Sequence, residues 1–79
     1  MSPEQSRMAR AALGWSLTRL AAEANIGRAT VARFELGEPV QADSIDAISR
    51  AFTAAGMEMI EAGRPLKAGG SGVRFQATK

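Results

Sequence analysis

The chain has 79 residues, enough for one domain, and a chain this short buries only about 60% of its unfolded surface, so marginal stability and a use for a second copy are expected. It contains no Cys and no His, which excludes a disulfide framework and a thiolate zinc site and removes the commonest general base, so neither an enzyme nor a metal or cofactor site is expected. The net charge of +2 is unevenly spread: residues 1–37 carry five Arg against three Glu, residues 38–62 one Arg against five acids, and residues 63–79 four basic residues and no acid. That distribution suits one face for nucleic acid and one turned away from phosphate, although a patchy solvated surface has the same composition.

Chain order gives the elements. Ser2-Pro3-Glu4-Gln5 reads as a helix start, with a Ser cap, Pro at the first position and Gln three residues after the cap. The same segment lacks the basic start and apolar run of a leader, and no stretch approaches the roughly 18 apolar residues of a membrane span. A cytoplasmic protein without membrane contact is expected. The first helix runs to about Leu13, where Gly14 is placed as a stop. Trp15 is expected to plug the core between helices one and two rather than to stack on a ligand.

Ser16 caps a second helix in which Leu17, Leu20, Ala21 and Ala24 recur at the spacing of one buried face. It ends near Ala24, and Asn25 accepts positive φ at low cost, so it can reverse the chain between two helices. From Gly27 to Leu36, at 100° per residue, Val31 and Phe34 share one side, Ala29, Ala32, Arg33 and Leu36 the other, with Arg28 on the flank. Gly37 and Pro39 then break the chain, and Asp43 or Ser44 is expected to cap a fourth helix whose stripe is Ile45, Ile48, Phe52 and Ala55, ending at Gly56. Asp43 and Asp46 at that helix start are read as complements to the helix dipole, not as metal ligands.

The remainder, residues 57–79, differs in kind. Met57-Glu58-Met59-Ile60 is short and mostly apolar, and Val73-Arg74-Phe75-Gln76-Ala77 alternates as a half-buried strand does. Glu61 to Gly72 contains four Gly and one Pro, so a tight two-residue hairpin is ruled out and the strands pair by a long loop or across a dimer axis. Two parts follow: a domain over 1–56 and a strand-forming tail over 57–79, with Met57, Met59, Ile60, Val73 and Phe75 as the candidate dimerisation residues, since they would otherwise leave an uncovered apolar surface.

The segment Ser16 to Gly37 has the content of a helix-turn-helix: two short helices crossing steeply near Asn25, held by Leu20, Ala21, Ile26, Val31 and Phe34, so that the outer face of the second can enter a groove. Leu20-Ala21, the five-residue step to Ile26, Thr30-Val31 and Glu35-Leu36-Gly37 resemble the lambda-repressor-like, or xenobiotic-response-element, family of bacterial and phage transcription regulators, over residues 3 to 56. The resemblance implies a mainly α fold of four helices, here with a short C-terminal β element, and a double-stranded DNA partner.

It further implies a buried ion pair between Arg10 and Glu35, base reading by Arg28, Ala29, Thr30, Ala32 and Arg33, and phosphate contacts from Ser16 and Thr18. Three positions depart from the family: Leu17 stands where a polar brace is usual, Asn25 replaces the turn Gly, and Gly27 replaces a Ser or Thr cap, freeing backbone N–H groups for a phosphate. The function expected is a dimeric repressor on a palindromic operator. The alternative from another class is an antitoxin or antiactivator that binds a protein partner through the tail.

Overall fold

Ser2 sets the first helix. Its hydroxyl accepts the Gln5 N–H at 3.1 Å while the Gln5 side-chain oxygen accepts the Ser2 N–H at 2.8 Å, a reciprocal cap that satisfies two backbone donors at once. In the computed structural model, which describes residues 1–60 and 72–75, helix α1 (Pro3–Leu13) is followed by α2 (Leu17–Ala24), α3 (Arg28–Glu35) and α4 (Ala42–Ala54). Gly14 ends α1 at φ 70°, the left-handed region that costs glycine nothing. Asn25 turns the chain between α2 and α3 at φ 58°, and the Ile26 N–H closes the turn on the Ala21 carbonyl at 3.1 Å.

Helix α4 begins earlier than expected. Gln41, not Asp43 or Ser44, precedes its first residue, and no side chain caps it; Asp43 lies inside the first turn, where its charge offsets the helix dipole. Its buried stripe is Ile48, Ala51 and Phe52, with Ile45 and Ala55 only half-buried at its ends.

The core joins Ala9 of α1, Leu20 and Ala21 of α2, Val31 and Phe34 of α3, Ile48, Ala51 and Phe52 of α4, and Met57. Ala9, Ala21 and Ala51 are the small members, and they let helix backbones approach. Trp15 packs against this core from the α1–α2 turn, and it also stacks on Phe52 of α4, ring centroids 5.9 Å apart, which ties that turn to the last helix.

Strands β1 (Met57–Ile60) and β2 (Gly72–Phe75) pair antiparallel, with Met57 opposite Phe75 and Met59 opposite Val73. The pairing is therefore within the chain. The Gln76 and Ala77 portion of the expected strand, and the connection from Glu61 to Ser71, lie outside the described residues. Met57 is 1% exposed and belongs to its own chain's core, which corrects its assignment to a dimer surface: the strand face it sits on is closed by α4. Gln5, also 1% exposed, donates from its amide to the Ile60 carbonyl at 2.9 Å and so clasps the end of β1 to the start of α1.

One carboxylate fixes α3 against α1. Glu35, 6% exposed, receives Arg10 Nε at 2.9 Å and Nη2 at 2.8 Å on its two oxygens and the Ser6 hydroxyl at 2.6 Å, while Arg7 donates to its backbone carbonyl. The third arm of Arg10, Nη1, donates to the Trp15 carbonyl at 3.2 Å. Among the described residues no buried side-chain polar atom lacks a partner.

Removing one member of such a cluster strands the others, so Glu35→Ala is expected to cost about 3–5 kcal/mol. Its neighbour Leu36, 74% exposed, is expected to tolerate Ala within about 0.5 kcal/mol. Urea melts followed by circular dichroism separate the two, and equal midpoints would refute this account of the cluster.

Candidate nucleic-acid interface

The outer surface of α2 and α3 is built by local signals. Ser16 caps α2 by accepting the Arg19 N–H at 3.0 Å, which leaves the hydroxyl free to donate. Helix α3 starts at Gly27, whose backbone is extended, with no side-chain cap on its first N–H groups. The exposed side of α3 carries Arg28, Ala29 and Arg33, with Thr30 and Ala32 half-buried beside them. Ser16, Thr18 and Gly27 are exposed as well, so the eight residues singled out from the sequence lie along one contiguous pair of helices.

The two arginines differ in their surroundings. Arg28 Nε donates to Thr18 Oγ1 across the helix crossing at 3.1 Å. Arg33, in the last turn of α3, has no side-chain hydrogen bond among the described residues. Both point a permanent positive charge outward, and two Ala between them leave room for a duplex backbone or base edge to come close.

Two residues join this surface that the sequence did not single out. Arg19 lies over the Trp15 ring at 5.1 Å and pairs with Glu23 at 2.8 Å, which places another cation at the start of α2. Arg7 rims a shallow apolar groove formed with Leu17, Ala32, Glu35 and Leu36. The i,i+4 spacing of Arg19 and Glu23 is a local signal for their pair, whereas Arg7 and Glu35 meet only after α1 and α3 pack. Leu17 turns its apolar side chain into this groove and supplies no polar brace.

The Arg10–Glu35 pair lies behind this surface. The Arg10 guanidinium is raised above its ordinary value, first by the hydrogen bond to Glu35, against desolvation, and then by the attraction of the same carboxylate. A raised value means that its contribution is present throughout the neutral range and is lost only as pH rises through the guanidinium range.

A family model described as helix-turn-helix matches residues 7–53, more than half of the chain and the stretch from within α1 to near the end of α4. No curated protein matches the chain significantly. Among the described residues no helix is long and apolar enough to cross a membrane.

A side chain at Gly27 has room: a Cβ there meets only Thr30 Oγ1, at the ordinary contact distance of 3.8 Å. Gly27→Ser is thus expected to cap α3 and stabilise by a few tenths of a kcal/mol, whereas Gly14→Ala, at φ 70°, is expected to lose about 1 kcal/mol. Opposite signs in thermal melts are the expected outcome, and a destabilised Gly27→Ser refutes the open geometry described for this helix start.

Proposed function

The chain belongs to the lambda-repressor-like helix-turn-helix family of DNA-binding transcription regulators, and we propose that it acts as a repressor, binding as a dimer to a palindromic operator. The observation that carries the reading is the outer side of α3, where Arg28 and Arg33 stand exposed on a helix seated across α2. Arg pairs bidentately with O6 and N7 of guanine in the major groove, so each half-site contains at least one guanine. Ala29 and Ala32 meet at most thymine methyl groups, and Thr30 a base edge or a phosphate. Ser16, Thr18 and the free N–H groups after Gly27 hold phosphates and fix the register.

A reading surface with two long polar side chains discriminates few base pairs, and a two-fold dimer doubles it by placing two such helices about 34 Å apart. The tail supports that assembly. Phe75 is 57% exposed at a sheet that has two strands among the described residues, and Ile60, Met59 and Val73 are incompletely covered, so β1 and β2 offer both an apolar patch and a sheet edge to a second copy. Met57, buried in the chain's own core, takes no part.

A second reading is an antitoxin or antiactivator that masks a protein partner through residues 57–79. What favours it is the exposure of Phe75 together with the apolar groove at Leu17 and Leu36, neither of which DNA requires. Selection of bound DNA from a random pool by the purified chain tests the first reading, and failure to enrich any site at moderate salt counts for the second.

On the selected site, Arg33→Ala is expected to lose about 1–3 kcal/mol of discrimination at one base pair while binding to unrelated DNA persists. An equal loss on all sequences, with the salt slope flattened by about one, identifies a phosphate contact instead. Phe75→Ser is expected to shift the molecule toward monomer in light scattering at micromolar concentration, and an unchanged dimer removes β2 from the interface.

A further inference from the structure

We infer that Thr18 is the positioning residue for Arg28: its hydroxyl presets the guanidinium for base reading, an assignment that rests on the reading of Arg28 as a base contact. The two residues lie ten apart in sequence, in the first turns of consecutive helices, and meet because the turn at Asn25 folds α3 back across α2. Arg28 Nε donates to Thr18 Oγ1 at 3.1 Å.

That single bond has two chemical consequences. A guanidinium is a rigid plane with five N–H donors, so fixing Nε fixes the direction of both Nη groups, and those two are the pair left to meet O6 and N7 of one guanine end-on. A hydroxyl, moreover, accepts and donates independently. Thr18 Oγ1 is an acceptor toward Arg28, which leaves its own proton for a phosphate oxygen at the start of α2. One side chain thus links the phosphate that sets register to the arginine that reads sequence.

The surroundings leave Thr18 alone in this role. Leu17 is turned to the apolar groove, and Ser16 already accepts the Arg19 N–H as the α2 cap. Arg33 supplies the internal contrast, because no described side chain holds it. Preorganisation of a long side chain lowers the ordering cost of association, so loss of the Thr18 hydroxyl reduces discrimination at the Arg28 base pair by roughly two- to tenfold and leaves the Arg33 base pair untouched.

The test uses the full chain and its selected operator, with each base pair of one half-site substituted in turn, and compares Thr18→Val, Thr18→Ser, Arg28→Ala and the double variant Thr18→Val/Arg28→Ala in binding titrations. Thr18 is exposed and Val keeps its shape, so circular dichroism should show all four folded. The expected result is a selective loss for Thr18→Val at the base pair where Arg28→Ala also loses, retention by Thr18→Ser, and a double variant no worse there than Arg28→Ala.

If Arg28→Ala loses that base pair while Thr18→Val keeps it, or Thr18→Val weakens every sequence by one common factor as loss of the phosphate bond alone does, the positioning role is overturned and the base reading stands. If Arg28→Ala itself loses no base selectively, both fall.

Discussion

Glu35 is the group on which the rest of the arrangement depends. A carboxylate taken out of water is costly unless its oxygens are occupied, and here three donors from Arg10 and Ser6 occupy them. Because all three come from α1, the charge can be satisfied in only one seating of α3 on α1. The planar fork of Arg10 sharpens this, since two parallel bonds to one carboxylate fix an angle as well as a distance. The remaining arm of the same guanidinium holds the Trp15 carbonyl, so the turn into α2 is set from the same point. A pair of this kind contributes less to stability than to uniqueness: it makes alternative packings of a small alanine-containing core expensive.

What the cluster orients is a helix whose outer side is chemically spare. Two arginines and a few small residues cannot by themselves separate one site from a genome of competitors, which is why the proposed function draws on phosphate contacts and a second copy. The family shown by the match over residues 7–53 works on DNA, and α2 and α3 both lie within the matched stretch. Arg19, stacked over Trp15, adds a cation whose position is stiffened by the ring beneath it. The apolar groove at Leu17, Ala32 and Leu36 interrupts this polar surface at the far end of α3.

The C-terminal strands serve two ends. Met57 completes the core that four short helices leave open beside Ile48 and Phe52, and Gln5 fastens Ile60 to the first helix. The outward rung of the ladder pairs Glu58 with Arg74. Phe75 stays 57% exposed, and it marks where the proposed second copy would sit.

Signals that act within four or five residues were legible in the sequence. Ser2 with Gln5, Gly14, Ser16 and Asn25 each do their work through a neighbouring backbone group, and the buried stripes of α2 and α3 follow from a period of 3.6 residues. The four helices and the short β element could therefore be read without coordinates. Resemblance added Arg10 and Glu35, residues 25 apart, which periodicity alone does not connect.

Tertiary structure decided the rest, because a period says which side of an element is buried but not what lies against it. Gln5 looked finished as a cap until Ile60 arrived from 55 residues away. Trp15 was placed against two helices and stacks on a third as well. Met57 was apolar on any reading, and only the closing of β1 on α4 determined that the monomer, rather than a dimer, uses it. Thr18 and Arg28 are two ordinary polar residues until a left-handed Asn25 brings the two helix starts within hydrogen-bonding distance.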